Sequence, residues 1–239
     1  MTSLSPHDQA LEIVRSRFGE AAAVFWAGSL SRGEGGPGSD IDLVVVYDKV
    51  ESPYRRSFLS GDRPVEVFCH DTDSLMRFFE KDIECGRPAL IEMVAGGVAL
   101  PDASMFSEDI RATAQNRLAR GPRAWSAVEL DASRYRITDA LNKLQLALDR
   151  DEIVAISTQL YGQLFEHHRR CKARWSATSK QIPRVLKNEE PDFAAAFLGA
   201  FDALFKSSDK TRVVELGRQI LEASGGELFD GYIEETPHH

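Results

Sequence analysis

Two short segments constrain the fold of this chain more than anything else in it: Gly28-Ser29-Leu30-Ser31-Arg32-Gly33 and Ser39-Asp40-Ile41-Asp42-Leu43. The first is a small-residue turn that follows the apolar run Ala21 to Ala27, a stretch bounded by glycine and suited to a short buried strand. The second opens Ile41 to Tyr47, whose β-branched residues predict another strand. Side chains on a strand alternate between faces, so the i, i+2 spacing of Asp40 and Asp42 puts both carboxylates on one side. The chain therefore has to end one strand in a glycine turn and begin the next with paired acids.

The remaining pattern supplies the surroundings of that pair. Ser5-Pro6 followed by His7 to Phe18 reads as a capped helix with Leu11, Val14 and Phe18 on its apolar stripe. Glu34 to Gly38 reads as a loop, and Val65-Glu66-Val67-Phe68 as a third strand. Thr72 to Glu84 is expected to be helical with Asp71 or Thr72 as its cap. Gly96 to Pro101 suits a turn and a short edge strand closed by proline, and Ala103 to Leu118 a further helix. The step Arg120-Gly121-Pro122 predicts a boundary between domains at residues 1–120 and 121–239.

Beyond Ala132 the periodicity is helical. Ile137, Leu141, Leu144 and Leu148, then Ile153, Ile156, Leu160 and Leu164, recur at helix spacing, and Phe193 to Phe205 and Val213 to Leu221 continue the pattern. The expected fold class is α+β: a small mixed sheet flanked by helices, then a helical bundle. Phe193, Phe197, Phe201 and Phe205 recur every fourth residue, which predicts a core stripe or the interface of a homodimer.

Bulk properties narrow the function classes. A formal net charge of −8 disfavours broad binding to nucleic acid, which relies on Lys and Arg neutralising phosphates. Cys69, Cys85 and Cys171 are scattered, without metal-type spacing or a disulfide framework, and are expected to be reduced thiols. No apolar run approaches the roughly 20 residues of a membrane helix, and no signal peptide is recognisable; a cytoplasmic protein is expected.

The acids and the turn have a shared chemical use. Transfer of a nucleoside monophosphate requires a grip on the triphosphate, divalent ions that neutralise the developing charge, and an aligned acceptor hydroxyl. Magnesium takes oxygen ligands from one or two carboxylates, with phosphate and water completing its shell. Asp40 and Asp42 suit that task, and Glu66 is the natural third carboxylate from a neighbouring strand. Gly28 allows close approach of an anion and Ser29 can open a short helix beneath it. Arg32 lies one turn on, where it either contacts phosphate or braces the loop.

Gly28-Ser29-x-x-Arg32-Gly33 followed by Ser39-Asp40-Ile41-Asp42-Leu43 resembles the signature of the polymerase-beta-type nucleotidyltransferase superfamily, within it the minimal and aminoglycoside nucleotidyltransferase branches. The similarity of motif covers residues 20 to 70 or so; the helical half matches in general style. The resemblance implies that Gly28 and Ser29, with Arg32 and Ser39 beside them, hold the triphosphate. It also implies that Asp40, Asp42 and Glu66 form the catalytic, metal-binding acidic set, two Mg2+ ions being expected. Ser31 stands where the family often has alanine, and Glu66 where aspartate is commoner. The implied co-substrate is ATP or another nucleoside triphosphate, and the implied acceptor is a hydroxyl of a small molecule such as an aminoglycoside. A protein acceptor, as in small antitoxin-type relatives, and an inactive nucleotide-binding module are the alternatives. Nucleic acid and membranes are not expected partners.

The helical half offers weaker signals. His167-His168-Arg169-Arg170-Cys171-Lys172-Ala173-Arg174-Trp175 is the most basic stretch, expected chiefly as a solvated helix face, otherwise as a basic wall with Lys180 facing an anion. Zinc is disfavoured there because adjacent histidines on a helix diverge by about 100°. Asp139, Glu152 and Glu166 are candidates for a general base, with no motif to single one out.

Overall fold

The computed structural model describes residues 4–36 and 38–234. Pro37 of the predicted loop and the outermost limits of the two expected domains lie outside the described residues. The chain forms two compact units, Met1–Pro122 and Arg123–His239.

In the first unit, helix α1 (Pro6–Arg17) begins where Ser5 caps it, the Ser5 hydroxyl accepting from the Asp8 N–H, with proline at the first helical position. It is followed by strand β1 (Ala23–Ala27), the four-residue helix α2 (Gly28–Ser31) and strand β2 (Ile41–Tyr47). Strand β3 (Tyr54–Ser60) turns back through Gly61 and Asp62 into β4 (Arg63–Asp71). Helices α3 (Thr72–Cys85) and α4 (Ala89–Ala95), the short strand β5 (Val98–Leu100) and helix α5 (Met105–Arg120) complete the unit. The strand order is β3-β4-β2-β1-β5; β2 and β4 run parallel and the other neighbours antiparallel. The sheet is mixed and the fold α+β.

Side-chain alternation divides the sheet into two layers. Val24 and Trp26 of β1, Leu43 and Val45 of β2 and Val67 and Cys69 of β4 pack with Ala10, Ile13 and Val14 of α1 on one face. The opposite face carries Phe25, Val44 and Phe68 in one cross-strand row, and α3, α4 and α5 contact its strands. The predicted third strand is longer than its apolar centre suggests, because its pairing with β2 and β3 extends it at both ends. Asp71 caps α3 in a reciprocal arrangement with Ser74. Strand β3 and helix α4 were not foreseen. Most side chains of β3 are exposed, and α4 is short and starts after Pro88, which offers no side-chain cap. Its N-terminus is instead capped from a distance, with Asp82 of α3 accepting from the Leu90 and Ile91 N–H groups at 2.8 and 3.0 Å.

The second unit comprises α6 (Ala127–Leu146), α7 (Arg150–Arg170), α8 (Gln181–Glu189), α9 (Pro191–Ser207) and α10 (Thr211–Glu222). Its core gathers Ile137, Leu141, Leu144, Leu160, Leu164, Phe165, Phe197, Phe201, Leu204, Val213 and Leu221. The four phenylalanines form a ladder along α9, successive ring centroids lying 5.9, 5.1 and 6.0 Å apart, with Phe197 and Phe201 buried. Leu148 departs from the predicted stripe: it sits in the connection after α6 and is 94% exposed, because the helix ends at Leu146.

The basic stretch also departs from expectation. His167, His168, Arg169 and Arg170 are all buried, so the predicted solvated face is incorrect. Each has found a partner inside the unit. Ser224 Oγ donates to the Leu221 carbonyl and thus accepts from His167 Nε2 at 2.8 Å, leaving His167 Nδ1 to accept from Ser133 at 2.9 Å. His168 stacks on Phe193 at 3.8 Å and bonds Glu190; Arg169 bridges Glu189 and Glu190 at 2.7 and 2.9 Å. The Arg170 guanidinium lies over the Trp125 ring at 5.6 Å.

Burial pushes His167 down to about 4, with the Arg134 and His168 charges adding to it, and burial likewise takes His70 of β4 to about 4. Both values lie below the ordinary 6.5, so the stability they support is complete above that pH and lost as pH falls towards 4. Burial of Asp82 raises its carboxyl to about 6, so its ionisation opposes folding as pH rises and the acid side gains from it. Urea unfolding between pH 7 and 4 should therefore show a smaller acid-side loss in His167→Gln than in wild type. An unchanged slope would show that His167 is not held neutral. In the bundle, Phe197→Ala should cost about 3–5 kcal/mol by the same measurement.

Candidate active site

The acids stand at one end of the sheet face that carries Phe25, Val44 and Phe68. Backbone pairing sets Ala27 opposite Asp42, Asp42 opposite Glu66 and Glu66 opposite Ser57, a single row across four strands. Asp40, immediately before β2, joins the row's outer rim. One carboxylate oxygen from each of Asp40, Asp42 and Glu66 lies within 4.8 Å of the other two, and all three residues are half-buried. Like charges at that spacing repel by about 1 kcal/mol in water and about 3 kcal/mol at a surface-like dielectric of 20. A cation placed among them would relieve that repulsion.

One cation is supplied by the protein. Arg55 Nη2 of β3 is paired with Glu66 Oε1, and its guanidinium carbon lies 5.3 Å from the centre of the Phe68 ring. An all-oxygen donor set of three carboxylates fits a hard divalent ion such as magnesium. Toward the interior, the next residues on the β4 face are Phe68 and then His70, whose ring burial keeps neutral. The charged groups thus collect at the rim.

Gly28 holds the opposite flank of Asp42. It has φ +81°, and a Cβ there would sit 2.0 Å from Asp42 Oδ2, so neither its conformation nor its contact admits a side chain. Ser29 follows as the second residue of α2, half-buried, while Ser31 Oγ closes the turn on the Gly28 carbonyl at 2.9 Å. Arg32 ends the turn and pairs with Glu34 at 3.1 Å, both side chains more than half exposed. In the loop before β2, Ser39 Oγ accepts from the Gly36 N–H at 3.0 Å. Arg63 ties that loop down, bonding the Ser39 carbonyl at 3.0 Å and Gln9 of α1 at 2.7 Å.

The structure thus brings Gly28, Asp40, Asp42 and Glu66 together, with Ser29 on the adjoining turn. Arg32 and Ser39 are engaged in bracing their own loops. Arg55 escaped sequence reasoning because its strand was missed, although Gly61-Asp62 between two strand-like runs is a two-residue hairpin signal that reveals it. Among the general-base candidates of the second unit, Asp139 pairs with Lys143, Glu152 is exposed in the first turn of α7 and Glu166 is half-buried on the same helix.

Residues 7–83 match the model of the nucleotidyltransferase domain family. The matched segment runs from α1 into α3 and contains the glycine turn and all three acids. The first unit thus carries a nucleotidyltransferase domain, and a helical region follows it. Among solved structures, a nucleotidyltransferase-like protein from Exiguobacterium sibiricum is similar at 12% identity and a TM-score of 0.43, over 89% of this chain and 73% of that one. No curated protein is matched by sequence. No helix among the described residues is long and apolar enough to cross a membrane.

Gly28→Ala should lower the stability of the nucleotidyltransferase domain by about 2 kcal/mol or more, since both the positive φ and the Asp42 contact must yield. Gly33→Ala, where φ is +73° but no atom lies within 4 Å of a new Cβ, should cost less. Equal losses in thermal unfolding would remove the argument from the Asp42 contact.

Proposed function

We propose that the protein is a magnesium-dependent nucleotidyltransferase that moves a nucleoside monophosphate, AMP from ATP, to a hydroxyl of a small-molecule acceptor of the aminoglycoside kind, releasing pyrophosphate. The observation that carries this reading is the convergence of the Asp40, Asp42 and Glu66 carboxylates beside a glycine that leaves no room for a side chain. The family match to the same segment supports it.

In this reading Asp40, Asp42 and Glu66 hold the divalent ions, and Gly28 and Ser29 receive the triphosphate. The metal, when bound, supplies charge neutralisation for the triphosphate and the departing pyrophosphate. The acceptor oxygen forms a bond to the α-phosphorus as the bond from that phosphorus to the β-phosphate bridging oxygen breaks. The acceptor's proton leaves to a nearby base or solvent, and pyrophosphate carries away the displaced charge. The rigid strands under Asp42 and Glu66 fix both carboxylates before substrate arrives, so little reorganisation accompanies the reaction. The helical unit that follows favours a small acceptor over a protein side chain, in keeping with the branch of the family the sequence resembles.

ATP labelled at the α-phosphate, incubated with Mg2+ and a panel of hydroxyl-bearing acceptors, should transfer label with matching pyrophosphate release. Asp40→Ala/Asp42→Ala should lower that rate by about 10³-fold or more. Pyrophosphate release that survives the double change would sink the mechanism.

A further inference from the structure

We propose that Arg55 is an exchangeable counter-ion for Glu66, holding the third carboxylate while no divalent ion is bound and surrendering it when one enters. The inference rests on the reading of Asp40, Asp42 and Glu66 as the magnesium site, and it assigns a positioning role to a residue outside that set. Strand β3 pairs Ser57 with Glu66 and Arg55 with Phe68, so Arg55 stands on the acid-bearing face, diagonal to Glu66. Of the acids that share this rim, its guanidinium engages the one nearest the edge of the sheet. The guanidinium and a divalent ion compete for the same carboxylate, since a carboxylate that accepts from one cation is a poorer donor to a second.

The balance of the pair suits exchange. The Arg55 side chain is 57% exposed and that of Glu66 26%, and ion pairs with an exposed member are weak and readily displaced. Released from Glu66, the guanidinium has a resting place close by, the face of the Phe68 ring. Arginine remains charged at every accessible pH, so the competition is set by metal concentration and not by protonation. While it holds, the pair offsets the repulsion among three crowded carboxylates and keeps the Glu66 side chain turned along the row.

The test is titration with Mn2+ alone, in the absence of nucleotide, followed by electron paramagnetic resonance or calorimetry on the whole chain. Arg55→Gln should bind Mn2+ about 5- to 10-fold more tightly than wild type, because the competing charge is gone. Arg55→Lys, which keeps the charge, should stay close to wild type. A purely structural brace between β3 and β4 would change thermal unfolding and leave the Mn2+ affinities of the three proteins equal. Equal or weaker binding by Arg55→Gln overturns the exchange. Asp42→Asn separates the two ideas: it should weaken Mn2+ binding at least 10-fold if the acids form the metal site. Failure of the wild type to bind Mn2+, or indifference of binding to Asp42→Asn, removes the metal-site reading and the exchange with it.

Discussion

Three carboxylates within 4.8 Å of one another are the constraint on which the rest of the first unit depends. Their mutual repulsion is tolerable only at the rim of the sheet, where solvent and a guanidinium reach them, and only if the strands beneath cannot spread to relieve it. The apolar layers on both sides of β1, β2 and β4 supply that rigidity. Val24, Trp26, Leu43, Val45, Val67 and Cys69 lock one face against α1, and α3, α4 and α5 close the other. Close packing makes this scaffold stiff, so the separation of the acids is fixed by the core.

The glycine turn belongs to the same constraint. Asp42 can occupy its place in the row only because Gly28 presents no side chain to it, and the turn can begin there only because glycine adopts a positive φ. One residue satisfies two demands, one conformational and one spatial. The loop that leads back to β2 is held by Arg63, whose bonds to Gln9 and to the Ser39 carbonyl fasten it to α1. The position of Asp40 therefore depends on a residue that lies more than twenty positions further along the chain.

Much of this was legible in the sequence because it is written in short-range chemistry. The Asp-x-Asp spacing, the glycine turn after an apolar strand, and the caps at Ser5 and Asp71 are each local signals with a local cause. Strand β3 was not legible: its side chains are largely exposed and its pairing with β4 is a tertiary fact, hinted at only by Gly61-Asp62. Arg55 went unread with it. The stretch from His167 to Arg170 was misread for a different reason. Charge in a sequence predicts solvent, but here Glu189, Glu190, Ser133 and Ser224 come from distant segments to satisfy it inside the bundle. Leu148 shows the converse error, where helical spacing continued past the point at which the helix stops.

The parallel pairing of β2 with β4 has a consequence for how the chain reaches this fold. A slip of one residue along β4 would set Val65 or Val67 opposite Asp42 and turn Glu66 into the layer occupied by α1. An ionised carboxylate has no partner among Ile13, Leu43 and Val45, and burying it there is heavily disfavoured. The acid at the rim thus also disqualifies wrong alignments during assembly, guarding the pairing of the two strands.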